Sequence, residues 1–106
     1  MKVQYYITAD GKKPFTKWLD RLKDKTAHAA ILKRIARIQL NLFGDAKSLG
    51  GGVYEIRVDV GSGYRVYYSR SGNELVLLLC GGDKGSQDAD IEKAKEYWKD
   101  YKEANR

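Results

Sequence analysis

Between residues 53 and 80, three strand-forming segments follow one another, separated only by short turns at Gly61-Ser62-Gly63 and Ser71-Gly72-Asn73. Connections this short join antiparallel neighbours, because a parallel crossover needs a dozen or more residues. Residues 53–60 set Tyr54, Ile56, Val58 and Val60 against Glu55, Arg57 and Asp59. Residues 64–69 set Tyr64, Val66 and Tyr68 against Arg65, Tyr67 and Ser69. Both alternate as half-buried strands do. Residues 74–80 are apolar almost throughout, the pattern of a central strand covered on both faces.

The remaining elements frame this meander. Residues 3–8 are rich in β-formers and read as a first strand, closed by Asp10-Gly11. Pro14 suits a first helical turn, after which Phe15, Trp18, Leu19 and Leu22 recur at helical spacing. A second helix is predicted from a cap at Asp24 to Phe43, with Ile31, Ile35, Ile38 and Leu42 as its apolar stripe and Gly44 as its stop. Lys33, Arg34 and Arg37 fall on its far side. Residues 45–52 read as a loop ending in a turn at Gly50-Gly51-Gly52, and residues 87–102 as a last helix with Ile91, Ala94, Trp98 and Tyr101 on one stripe. The order β-α-α-β-β-β-α is an α+β class: a mainly antiparallel sheet packed by an N-terminal helical hairpin and a C-terminal helix. At 106 residues, with no linker or repeat, the chain reads as a single domain, 1–106.

Composition narrows the partners. Net charge is +6 and the pI is about 9.4, which favours polyanions, nucleic acid foremost. The single cysteine, Cys80, lies in an apolar run and reads as a buried small hydrophobe. No apolar run approaches the roughly 20 residues of a membrane helix, and no leader-like segment opens the chain, so a cytoplasmic protein with no membrane partner is expected. His28 reads as a solvated helix residue; one histidine and one cysteine far apart argue for no metal and no cofactor.

Strand parity locates the candidate chemistry. If Ile56 and Val66 both face inward, a hairpin centred near Gly61 puts Arg57 opposite Arg65 and Glu55 opposite Tyr67 on one outward face. Paired arginines repel, and a carboxylate such as Glu55 or Asp59, or a bound phosphate, would offset that. The next strand runs back so that Lys84 emerges near Arg57 and Arg65, with Gln87 and a helix N-terminus close by. Lys33, Arg34 and Arg37 read as a solvated face that could also contact phosphate.

The segments Leu49-Gly-Gly-Gly-Val-Tyr-Glu-Ile-Arg57, Gly63-Tyr-Arg-Val-Tyr-Tyr68 and Leu77-Leu-Leu-Cys-Gly-Gly-Asp-Lys-Gly-Ser-Gln87, in this element order, resemble the RelE/ParE toxin superfamily. More narrowly they resemble its HigB-like, phage Gp49-like addiction module killer branch. The resemblance implies a RelE-like fold and the toxin of a type II toxin–antitoxin system. Its activity would be ribosome-dependent, metal-independent cleavage of mRNA, in which a 2′-hydroxyl attacks the adjacent phosphate to leave a cyclic phosphate. It implies catalytic roles for Arg57, Arg65, Lys84 and Tyr67, RNA contacts from Lys33, Arg34, Arg37 and Gln87, and Glu55 or Asp83 as the general base. Asp90 or Ile91 stands where such enzymes often carry a C-terminal tyrosine. The implied partners are the ribosome, mRNA and a cognate antitoxin, of helix-turn-helix type, in a heterotetramer. A ParE-like DNA gyrase inhibitor acting by binding, or a non-catalytic nucleic-acid-binding module, are the alternatives.

Overall fold

The computed structural model describes residues 1–105. Its helices start where local chemistry favours them. Pro14 opens α1 (Pro14–Arg21) at a position where its missing N–H leaves no bond unmade. The Asp24 carboxylate accepts from the Ala27 backbone N–H at 3.1 Å and so caps α2 (Lys25–Gln39). The last helix, α3 (Gln87–Ala104), follows a 3-10 turn at Lys84–Ser86. Five strands complete the fold, β1 (Lys2–Tyr5) ahead of the helices and β2 (Ala46–Gly50), β3 (Val53–Val58), β4 (Tyr64–Ser71) and β5 (Leu75–Asp83) between α2 and α3.

The strands form a sheet in the order β1-β5-β4-β3-β2. Neighbours from β5 to β2 are antiparallel, and β1 lies parallel to β5 with Lys2 beside Leu75 and Tyr5 beside Leu78. The result is a mixed α+β architecture of three layers. One core lies between the helical hairpin and the sheet, built on Phe15, Leu19, Ile31, Ile35, Ile38, Ile56, Val66 and Leu78. A second lies between the sheet and α3, built on Val53, Tyr67, Leu77, Leu79, Ala94 and Trp98. Apolar residues on both faces of β5 serve both cores, as its unbroken apolar run requires.

Three expectations need correction. Residues 45–52 are not all loop, because β2 pairs antiparallel with β3, Lys47 opposite Glu55. Its sequence, Ala-Lys-Ser-Leu-Gly, has little β-propensity and is held by pairing rather than by preference. The second helix ends at Gln39 rather than Phe43: Asn41 takes a positive φ of 65°, the left-handed turn that stops a helix. Leu42 therefore leaves the stripe and is exposed. Finally, the sheet face carrying Glu55, Arg65 and Tyr67 is not outward, since α3 covers it.

A bulge in β5 sets the phase at the end of that strand. Tyr67 pairs with Cys80 but Tyr68 with Leu78, so Leu79 is extra. Beyond it, Gly81 faces the hairpin, where an added Cβ would fall 2.3 Å from the Trp18 ring. Gly82 faces α3, where an added Cβ would run into the Asp90 carboxylate. Both glycines are demanded by close approach rather than by backbone angle.

Candidate nucleic-acid interface

The β3–β4 register is the one that parity predicts: Ile56 opposite Val66, Glu55 opposite Tyr67, Arg57 opposite Arg65. Because side chains alternate, Glu55, Arg57, Arg65 and Tyr67 share the α3 side of the sheet. At its middle, α3 closes over this face. At its N-terminal end, the face opens to solvent.

Glu55 sits at that boundary and is 1% exposed. Its Oε1 is 3.3 Å from Arg57 Nε and 3.4 Å from Arg65 Nε. Its Oε2 accepts from Gln87 Nε2 at 3.1 Å. The Arg57 contact is an aligned hydrogen bond; the Arg65 contact is an ion pair without that alignment, so Arg65 Nε has no hydrogen-bond partner. One carboxylate thus serves two guanidiniums and anchors the first residue of α3 to the sheet. The Arg57 side chain is 44% exposed and that of Arg65 9%. Arg57 is therefore the arginine a large anion can reach, and Arg65 supports it from beneath.

Lys84 follows β5 beside the start of β4, where Tyr64 pairs with Asp83. Its stem lies over Gly63, whose added Cβ would meet Lys84 Cε at 2.9 Å. Gly63 stands in the turn two residues before Arg65, and its φ of 89° is one that favours glycine. Lys84 is exposed. One carboxylate thus pairs directly with two arginines from adjacent strands, and Lys84 stands at the turn that leads into the second of them.

The other predicted residues are placed as follows. Tyr67 is fully buried and its hydroxyl lacks a partner. Burial raises its pKa well above that of free tyrosine, with Glu55 and Asp90 adding to the shift. A neutral, enclosed phenol is poorly suited to take a proton. Asp83 is exposed, and its Oδ1 accepts from the Gly85 N–H at 2.9 Å, holding the 3-10 turn. Gln87 points to Glu55 rather than outward. The α3 N-terminus carries Asp88 and Asp90 in its first turn, so its dipole already faces carboxylates. Lys33 and Arg37 are exposed on α2. Arg34 is not on a free face: its Nη1 donates to the Arg57 backbone carbonyl at 3.0 Å, and Nη2 is buried beside Gly44. Cys80 is buried, which pushes its thiol up to about 12 and keeps it protonated.

Missed from the sequence were Ser86 and its bond to Asp90. Ser86 Oγ donates to the Asp90 carboxylate, and the pair packs against Gly82 opposite Arg65. A Ser-x-x-x-Asp spacing across a helix start was the available signal.

The comparisons with known proteins come to the same segments. The family model described as phage derived protein Gp49-like (DUF891) matches residues 17–99. A Haemophilus influenzae protein (strain ATCC 51907 / DSM 11121 / KW20 / Rd), described as an uncharacterized protein, is 52% identical over 81 residues, 76% of this chain and 82% of the relative. The matched span includes α2, β3, β4, β5 and the start of α3, and with them every candidate site residue.

Proposed function

The chain belongs to the phage-derived Gp49-like family, and from that premise we propose that it is a toxin that cleaves mRNA on the ribosome without a metal. The family falls within the RelE-like toxin group, and membership of a toxin–antitoxin group implies a cognate antitoxin. The finer reading, ribonuclease, rests on one observation: Arg57 and Arg65 face each other across β3 and β4 and share the single carboxylate of Glu55. Lys84 adds a third cation at the open end. That surplus of positive charge suits a phosphate at the Arg57 edge.

In this reading a 2′-hydroxyl attacks the adjacent phosphorus, the P–O5′ bond breaks, and a 2′,3′-cyclic phosphate forms with a free 5′-hydroxyl. The added charge in the five-coordinate state falls on the non-bridging oxygens. Arg57 and Lys84 offset it there, and Arg65 strengthens the local field. Fixed cations of this kind act because they need no reorganisation when the charge develops. Lys33 and Arg37 on α2 give longer-range attraction to the RNA backbone.

Of Glu55, Tyr67 and Asp83, Asp83 alone is exposed and could serve as the general base. That scarcity favours, as a second reading, a gyrase inhibitor that acts by binding alone. Primer extension on messages from cells expressing the chain separates the two. Cuts confined to translated reading frames support the ribonuclease. Loss of supercoiling with intact messages supports the inhibitor and removes the ribonuclease.

A further inference from the structure

We propose that Glu55 is a positioning residue for RNA phosphate: its carboxylate holds Arg57 and Arg65 at their Nε atoms, turns the Nη edge of Arg57 toward the phosphate with Arg65 beneath it, and exchanges no proton with the RNA. The inference rests on the RNA reading above and assigns one residue's part in it.

Three features carry it. First, Glu55 is 1% exposed, so no 2′-hydroxyl reaches it while α3 is in place. Second, both oxygens already accept: Oε1 faces the two arginines at 3.3 and 3.4 Å, and Oε2 takes the Gln87 amide at 3.1 Å. A carboxylate so occupied keeps few acceptor sites free, and burial closes those to substrate. Third, its closest approach to each arginine is at Nε. A guanidinium is a planar fork, so fixing Nε fixes the direction of the Nη donors. With cross-strand arginines of like charge, an internal anion offsets their repulsion.

The geometry also balances charge. Within the triad itself, two guanidiniums and one carboxylate leave one net positive charge. Removing the carboxylate frees the arginines to repel and splay. A second tie follows from Gln87: Glu55 links the arginine pair to the first residue of α3, so the helix start and the donor edge move together.

The test uses Glu55→Gln and, should that variant be poorly folded, Glu55→Asp, which keeps the charge and withdraws the carboxylate by one methylene. Two readouts do not depend on cleavage. One is the 15N–1H signals of Arg57 and Arg65 Nε; the other is affinity for a short 2′-O-methyl RNA, which cannot be cut. The positioning role predicts shifted and faster-exchanging Nε signals in either variant, and RNA affinity lowered by about tenfold, the loss expected for misaligned charge-assisted hydrogen bonds. The pH profile of ribosome-dependent cleavage keeps the wild-type shape at reduced height. Unchanged Nε signals and unchanged affinity overturn the proposal. So does a cleavage profile whose acid limb vanishes in Glu55→Gln, because that marks a proton acceptor. If the wild-type chain binds the 2′-O-methyl RNA but cleaves no message, the ribonuclease reading fails while the positioning role is still decided by the first two measurements. If the wild type binds no RNA at all, the positioning role fails, while primer extension on messages still decides the ribonuclease reading.

Discussion

The Arg34 guanidinium reaches from α2 to the backbone carbonyl of Arg57, a donor at 3.0 Å across the helix–sheet boundary. It completes β3 just beyond the end of its pairing with β2, where the Arg57 N–H makes a long bond of 3.4 Å to the Asp45 carbonyl. Arg34 is therefore a structural tie to the backbone of a candidate RNA-binding residue. Arg34→Ala is expected to lower stability by about 1–2 kcal/mol, through the lost bond and the carbonyl left behind. Lys33→Ala and Arg37→Ala, on the exposed side of α2, are expected to stay within about 0.5 kcal/mol. Urea unfolding of the three variants checks this; equal midpoints for all three would deny Arg34 its role.

Arg57→Ala separates function from folding better than Arg65→Ala does. Arg57 is partly exposed, and its removal leaves Glu55 still paired with Arg65 and Gln87. Stability is expected to change by about 1 kcal/mol or less, while cleavage falls by about a hundredfold or more. Removing Arg65 instead strips a buried partner from a buried carboxylate, a change that destabilises. An Arg57→Ala protein that cuts messages at the wild-type rate takes Arg57 out of the mechanism.

Lys84 is expected to act through charge alone. For single-stranded RNA, each phosphate contact contributes about −0.7 to the slope of log K against log salt. Lys84→Ala should flatten that slope by about this amount, leaving unfolding unchanged, as fluorescence anisotropy over a salt series would report. An identical slope places Lys84 away from bound RNA.

Gly81→Ala probes the contact with α1. Gly81 needs no left-handed backbone, so the penalty is steric and comes from the Trp18 ring. Overpacking of this kind costs about 1–3 kcal/mol. Joining Trp18→Ala to it should relieve most of the clash, and a double-mutant cycle showing simple additivity would place the cost elsewhere.

Asp90 gives a pH signature. Burial raises its pKa from the ordinary carboxylate value, with Asp83 adding to the rise and the Ser86 hydrogen bond opposing it. The folded state thus holds this proton more tightly than the unfolded chain. Its contribution to stability is full at pH below the unfolded value and is lost as pH rises through the folded one. Asp90→Asn keeps an acceptor for Ser86 and is expected to raise the melting temperature at neutral pH but not in acid. A gain of equal size at both ends of that range is the outcome that would sink this assignment.

The arginine pair was legible because alternation and two glycine turns determine a hairpin register, and register determines which side chains meet. The cover over that pair was not. Glu55 and Arg57 look like a solvent face, yet Val53, Tyr67, Leu77 and Leu79 put apolar surface on the same side, and α3 packs there. A strand buried on both faces hides its second core behind a few polar residues. The β5 bulge at Leu79 was illegible for another reason. An extra residue in an all-apolar run leaves the hydropathy pattern unchanged while reversing the facing of Gly81 and Gly82. Strand β2 escaped notice because pairing, rather than propensity, creates it.

The position of β5, between β1 and β4, governs when the molecule comes into being during synthesis. The N-terminal strand waits for a neighbour more than sixty residues downstream, since Lys2 adjoins Leu75 and Tyr5 adjoins Leu78. Gln87, which fastens the arginine pair through Glu55, is made later still. Pairings this distant in sequence form slowly and late. A nascent chain therefore leaves the exit tunnel with Arg57 and Arg65 on unclosed strands, and the arginine pair is fastened only after Gln87 has followed them out.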